Sequence, residues 1–478
     1  MRALSITNVT GLPETEAGIL NELARIYNNH LEANRKKNRY YEGHIRLDEV
    51  NLDIALPDGF QGLEIGCEWG AKCVDVLAAR SMFDGFVGKN GDDAEAINRI
   101  FESNNLEAQY MKAVKDELKF GSSFATLSKE GTDGCRIRFH SPMTASAIWD
   151  GERGGISAGL VIVDMGVDEA MMTYSPKRVN LYTDSAVWEL SSMDGQRWTA
   201  IKKPHSMGRP LMEPMTWNAT SLKPFGRSRI KEPVRRLIDG YVRTIANATI
   251  GLEFSTTPQK YLLGLTDEQY DAVVNQKFKQ YIGSIIASTT NPETGEKPTF
   301  GQLSQGTIEP HVQMIRLLAT QFSAATGLTV TDVGVINDAN PTSSDAILAQ
   351  SQTLVLLAEQ LNAGNSESLY KIAQMAQAIA AHKTLDELDE AERSITPHFK
   401  NPAMPSVAVT ADAAVKIAAS RPEFASTDIY LEMVGFDQAD IRRIKAQEQK
   451  ARGLSVLGEI ESEEPEEPVN ETDSGILA

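Results

Sequence analysis

The sequence has few cysteines, no long apolar run and a deficit of positive charge, and each shortage closes off a class of protein. Three cysteines in 478 residues, Cys67, Cys73 and Cys135, cannot build a disulfide framework. Cys67 and Cys73 lie in a stretch expected to be helical, at a spacing that keeps them from facing one another, so buried free thiols in a reducing compartment are expected. The longest strictly apolar run in the long helical segment after residue 341 is LVLLA, 354–358. That is far short of the roughly 20 residues that span a bilayer. Residues 1–18, MRALSITNVTGLPETEAG, lack the apolar centre of a signal peptide. The expectation is a soluble cytosolic protein without membrane contact, in which the Asn-X-Thr triplets at Asn8, Asn218 and Asn247 are chance matches. Lys and Arg number 47 against 65 Asp and Glu, a formal net charge of −18. Tight, sequence-independent binding of nucleic acid is thereby excluded, because it needs many cations on phosphates. A protein that lets DNA slide past it is not.

What is present is ordinary folded-protein composition, 41% hydrophobic and 23% charged, in a chain long enough for several domains. Helical periodicity covers 14–37, 67–80 and 93–119. From Gly121 the pattern changes to short β-like runs punctuated by Gly, Asp and Pro: SFATLS, CRIRFH, ASAIWD, AGLVIVDM, RVNLYT, SAVWELS and RWTAIKK. Helices followed by a block of strands predict an α+β unit up to about residue 224. In GRSRIKEPVRRLIDGYVRTIANATIGLEF (226–254), Val234, Leu237, Ile238, Tyr241, Val242 and Ile245 recur on one helix face. Arg236, Arg243 and Asn247 fall opposite that stripe, and Arg235 falls at its flank. Residues 255–308 are turn-rich, and PHVQMIRLLATQFSAAT (310–326) forms a second helix of similar length. A small excursion at the far tip of an antiparallel helix pair is the expected arrangement. A long helix follows over 342–382, capped by Thr342 or Ser343, with Gly364 as the candidate kink. A last helical block spans 410–452, and the acidic end ESEEPEEPVNETDSGILA is expected to be disordered.

Motifs that would carry chemistry are scarce. GISAG (155–159) fits the Gly-x-Ser-x-Gly pattern, but a nucleophile elbow needs a strand before the serine and a helix after it. Here the turn DGERGG precedes Ser157 and the β-like LVIVDM follows, so a turn leading into a strand is expected; a hydrolase built on Ser157 is the enzymatic alternative. VGKNGDD (87–93) lacks the spacing of a phosphate loop. The seven histidines show neither His-x3-His spacing nor a partnering cysteine pair, so no metal and no cofactor is expected. Asp84, Asp92 and Asp93 read as solvated loop carboxylates.

One stretch poses its own problem. TGLTVTDVGVINDANPTSSDAILAQSQTLVLLAEQ (326–360) runs from a Gly-punctuated Val/Ile segment into a helix coated with Gln, Ser and Ala. Such a helix suits neither open water nor an apolar core. This stretch, together with NRYYEGH (38–44) and PFGRSRIKEPVRRLIDGYVRTIANATIGLEFSTTPQKYLLG (224–264), resembles the portal proteins of tailed bacteriophages, of the siphophage type found in phages of Gram-positive bacteria. The resemblance covers roughly residues 20–385 and rests on these segments in this order.

The resemblance implies a portal-like α+β subunit of several parts. These are a wing (1–225, completed by the long tunnel helix and its sequel at 342–400), a stem (helices 226–254 and 309–326) and a small α/β clip (255–308). A tunnel loop (327–341) and a helical crown (401–455) follow, then a disordered acidic tail (456–478). It implies no enzyme activity. It implies a homo-oligomeric ring, usually of twelve copies, at one capsid vertex of the virion, assembled in the host cytoplasm. Double-stranded DNA would pass through the bore. Terminase large subunit, head–tail adaptor, and major capsid and scaffolding proteins would be partners. A different ring-forming scaffold or connector of a virion is the structural alternative. Val330, Thr331, Asp332, Val333, Val335 and Asn337 are then expected to reach the channel, with Gly327 and Gly334 as loop hinges. Arg235, Arg236 and Arg243 are expected at subunit or DNA contacts. The coated helix would pack against its copies beside an aqueous bore. Neither the first 20 residues nor the acidic tail is explained by the resemblance.

Overall fold

The computed structural model describes residues 4–46, 64–88, 94–131, 134–168, 173–192, 197–256, 260–263, 299–302, 307–334, 344–403 and 407–462. The N-terminal part interleaves strands β1 (Val9–Thr10), β2 (His44–Arg46), β3 (Glu64–Gly66) and β4 (Phe83–Gly88) with helices α1 (Glu14–Glu42) and α2 (Trp69–Ala78). Helices α3 (Glu95–Ser103) and α4 (Leu106–Phe120) follow. The sequence suggested one helix over 93–119; Asn105, left-handed at φ 51°, divides it into two. Cys67 lies just ahead of α2 and not inside it.

The strand block comprises β5 (Ser122–Glu130), β6 (Gly134–His140), β7 (Ala145–Asp150), β8 (Gly155–Asp168), β9 (Thr173–Tyr182), β10 (Ala186–Ser191), β11 (Trp198–Pro204) and β12 (Met212–Thr216). Every β-like run read from the sequence falls on one of them. Two sheets result. One has the order β1-β11-β10-β9-β8-β7 and the other β12-β5-β6. Within the larger sheet all pairings are antiparallel except that of β1, which lies parallel to β11 at the edge through Val9↔Trp198 and Thr10↔Thr199.

Further along come α5 (Glu232–Thr256), β13 (Lys260–Leu263), β14 (Thr299–Gln302), α6 (Glu309–Thr326) and α7 (Ser344–Ala381). Then come the short α8 (Glu390–Arg393), β15 (Ile395–Phe399, paired with β4), α9 (Val407–Ser420), α10 (Asp428–Val434) and α11 (Gln438–Ser462). Helix α11 continues beyond residue 456, where the acidic tail was expected to begin; residues 463–478 lie outside the described set.

Two apolar clusters hold these elements. In the smaller, Leu20, Leu23, Tyr27 and Leu31 of α1 cover Leu160, Ile162, Val179, Leu181, Trp188 and Trp198 of the large sheet. The i, i+3, i+4 recurrence along α1 places these residues on one stripe. Leu4 and Ile6 join this cluster, and the main chain of Leu4 is gripped by the Asn28 side chain through both N–H and C=O, at 2.7 and 2.8 Å. The N-terminal segment that showed no pattern is therefore part of the wall of this core. The larger cluster joins α2, α4, the three-stranded sheet, α5, α6 and α7.

Candidate functional site

The paired helices α5 and α6 are built as the sequence suggested. Val234, Ile238, Val242 and Ala246 of α5 are fully buried, as are Ala319 and Phe322 of α6. β13 pairs antiparallel with β14, which brings the end of α5 to the start of α6. At the other end Arg229, just ahead of α5, reaches Thr326, the last residue of α6. The two helices thus run side by side in opposite directions. Most of the excursion between them, 264–298, lies outside the described residues.

The base of this pair is fixed by three contacts. The Trp69 ring, at the start of α2, sits 4.5 Å from that of Tyr241 and 4.9 Å from that of Phe322, and so touches both helices. Arg229 is buried. It donates from Nε to the Cys73 carbonyl and from Nη2 to the Thr326 carbonyl, each at 2.5 Å. Tyr40, in the NRYYEGH segment, donates its hydroxyl to Asp239 Oδ1 at 2.6 Å, tying the end of α1 to α5. Close approach there is permitted by Gly70, where a Cβ would stand 1.9 Å from the Tyr40 carbonyl oxygen. A buried arginine binding two carbonyls is invisible to periodicity; only the run RSRIKEP hinted at it.

The three arginines singled out from the sequence are placed differently from one another. Arg236 is exposed and pairs with Glu232 at 3.4 Å. Arg243 is half-buried. Arg235, also half-buried, donates to the Ile230 carbonyl at 2.8 Å and lies over the Tyr40 ring. Its helix-flank position turns it back onto its own chain and does not hold it outward.

After α6 the chain turns at Gly327, which has φ 74° and receives the helix end through its N–H to the Ser323 carbonyl. A Cβ at Gly327 would come within 2.8 Å of Leu357 Cδ1 on α7, so this glycine is packed against the long helix. The next residues form a closed turn. The Thr329 N–H donates to Asp332 Oδ2 at 2.9 Å, and the Asp332 N–H donates to Thr329 Oγ1 at 3.1 Å. One oxygen of the Asp332 carboxylate is thereby committed to main chain. Val333 is buried in the large cluster, so the expectation that it reaches a channel is corrected: its side chain is taken up by the core. Val330 is half-buried and Thr331 exposed. Gly334 has φ 88° with open space around it. Val335 and Asn337 lie outside the described residues.

Helix α7 differs between its two halves. From Asn362 onward most of its uncharged polar side chains are turned into the protomer. Asn365 is fully buried and donates to Glu117 Oε2 at 2.9 Å and to the Tyr110 hydroxyl at 3.1 Å. Tyr110 in turn shares a 2.7 Å hydrogen bond with Ser81. Ser368 donates to the Pro214 carbonyl at 2.8 Å. Burial without a cationic partner pushes the Glu117 carboxyl up to about 8, so it is largely neutral at pH 7. Lys371 and Arg209 both pair with the buried Glu213. Small and amide side chains coat this half because the helix threads a polar-lined core. On the first half, Gln352, Thr353 and Leu356 are exposed. Gly364 produces no break, and the helix is continuous over 38 residues.

Ser157 lies within β8, its hydroxyl 3.4 Å from the Ile148 carbonyl of the adjoining strand, and no helix follows. The setting is that of a turn leading into a strand. Cys67, Cys73 and Cys135 are free and buried, which raises their thiols to about 12, 11 and 12. Asp84 stands near Lys400 and His398, while Asp92 and Asp93 lie outside the described residues. Among the described residues no cluster of His, Cys, Asp and Glu fit to hold a metal occurs. None of their helices is long and apolar enough to cross a membrane.

The sequence pattern described as "Phage portal protein, SPP1 Gp6-like" matches residues 20–453. The chain belongs to this phage portal family. The family match takes in most of α1, the paired helices, α7 and most of α11, and leaves out β1 and the acidic end. No curated relative matches the chain. Among solved structures this portal-family chain is similar to one in the virion of a native gene transfer agent particle. Identity is 13% and the TM-score 0.43, over 77% of this chain and 89% of that one. It is also similar to a chain in the neck of the native particle computed with C12 symmetry, at 12% identity and a TM-score of 0.43 over 77% and 89%. The neck of the empty particle, computed with C6 symmetry, gives 12% and 0.44 over 77% and 90%.

Proposed function

We propose that this portal-family chain is one subunit of a closed ring, twelve copies in the usual portal arrangement, through which double-stranded DNA is packaged into a capsid and later released. The observation that carries this reading is the helix pair α5/α6. It is fastened at one end to the body by Trp69, Arg229 and Tyr40, and it carries the β13–β14 pair at the other. A pair fastened in this way at its base is suited to serve as a stem. The segment between its far ends, 255–308, is then the clip, where the terminase large subunit and later the head–tail adaptor dock. In the same reading α1, the two sheets and α7 form the wing, facing the major capsid and scaffolding proteins, and α9 to α11 form the crown. The turn after α6 starts the tunnel loop. Val330 and Thr331, with Val335 and Asn337 beyond them, are the residues assigned to the bore, and Gly334 is the freer hinge. The net charge of −18 suits a passage along which phosphates must not stick.

Light scattering on the purified protein tests this directly, with negative-stain images beside it. The expected result is a mass many times the 52.3 kDa of one chain and rings with a central hole and a protruding stem. A stable monomer at micromolar concentration, with no rings in images of disrupted virions, would overturn the reading.

A further inference from the structure

In a chain of net charge −18 one recess has, among the described residues, Lys and Arg but no Asp or Glu in its lining. It is a cleft of about 580 Å³ where α1, the loop 222–231 and the first turn of α5 meet. Lys37, Lys223, Arg227, Lys231 and Arg235 line it, and among the described residues no Asp or Glu does. The bonds of Lys37 go to Asn34 Oδ1 and the Phe120 carbonyl, and that of Arg235 to the Ile230 carbonyl, all neutral acceptors. Asp239, within electrostatic reach of Arg235, already accepts from Tyr40. The crowding leaves a mark on Lys37. Burial first, and then the charges of Arg235 and Lys223, pull its ammonium down to about 8. Elsewhere on the surface Arg136 has Glu130 within reach and Lys203 has Glu189. The recess is also part apolar, with Tyr27, Phe124 and Phe225 in its walls, and Leu222 on the loop beside them is 89% exposed.

We propose that this cleft receives carboxylate side chains from a second copy of the chain, so that the site is complete only in the assembly. The inference rests on the ring reading and goes beyond it in naming the contact. Copies that each carry a large negative charge repel as they come together. A basic recess gives the neighbour's carboxylates one place where approach is attractive, and a head-to-tail ring joins two different patches of the same chain in this way. A nucleic acid backbone would satisfy the charges but would leave Leu222 and the aromatic walls wet; a protein surface covers both.

The test uses the full-length protein. Zero-length carbodiimide coupling joins an amine to a carboxylate only where the two touch. Peptides cross-linked between copies should carry Lys223 or Lys231, and should vanish when the assembly is dissociated. In parallel, Lys223→Glu with Lys231→Glu should raise the protein concentration needed for assembly by about tenfold or more at low salt, with the penalty shrinking as salt screens it. Unchanged near-ultraviolet circular dichroism would show that the variant is folded. Wild-type rings without such cross-links, and a folded variant that assembles like wild type at low salt, would sink this inference while leaving the ring intact. Protection of these lysines from acetylation by a DNA oligonucleotide, and not by assembly, would also overturn it. A wild-type chain that forms no ring removes the ring reading itself, a result distinct from both.

Discussion

Arg229 Nη2 donates to the carbonyl oxygen of Thr326 at 2.5 Å, across 97 residues of sequence, and so joins the start of one long helix to the end of its partner. The same guanidinium holds the Cys73 carbonyl of α2. Replacing it with alanine strips two buried carbonyls of their donor and opens a void beside Trp217, whose ring it faces. Arg229→Ala should destabilise the protein by roughly 2–4 kcal/mol. Arg229→Lys should recover only part of this, because one ammonium cannot span both acceptors with the geometry of a guanidinium. Melting curves of the two variants and the wild type give the check. An alanine variant as stable as wild type would show that Arg229 does not fasten the helix base.

Glu117 predicts how stability varies with pH. Its folded carboxyl is raised from the ordinary 4.5 to about 8, so between those values the folded state binds more protons than the unfolded one. Rising pH across that window therefore favours unfolding, and the contribution is fully present only below about 4.5. Glu117→Gln keeps the acceptor used by Asn365 and removes the ionisation. It should melt about 2 °C or more above wild type at pH 8, with a flatter profile between pH 5 and 8. Parallel profiles for the two proteins would mean that Glu117 titrates normally.

The turn following α6 offers a test in packaging. Val330→Lys with Thr331→Lys would place two cations per subunit at the bore, and phosphate attraction should slow DNA uptake more at low salt than at high salt. The readout is DNA length packaged against time at two ionic strengths. Uptake at the wild-type rate at low salt would show that this turn does not face the DNA. Val333→Lys is the contrasting variant: it should unfold the turn, since it drives a charge into the core.

The strand block was legible because Gly, Asp and Pro punctuate it, and each run from SFATLS to RWTAIKK became a strand. The buried face of α5 was equally plain, since Val234, Ile238 and Val242 keep helical spacing without interruption. What could not be read were side chains whose partners lie far off in sequence. Asn365 looks like part of a soft, polar coat until Glu117 and Tyr110 are brought against it. Arg235 falls at the flank of the apolar stripe on a helical wheel, and only the fold shows Ile230 and Tyr40 claiming it. Residues 4–12 are too short a stretch for a period to stand out, yet Leu4 and Ile6 finish a core.

β1 also governs what happens at one border of the large sheet. Val9 and Thr10 occupy backbone positions along Trp198 and Thr199 that would otherwise be open to a stranger's strand. Shortening the chain past Thr10 would uncover that ladder, and molecules so trimmed would stick edge to edge without symmetry or limit. Material in the void volume of a sizing column, obtained from such a trimmed protein, would therefore report an unguarded sheet border and would say nothing of ring closure.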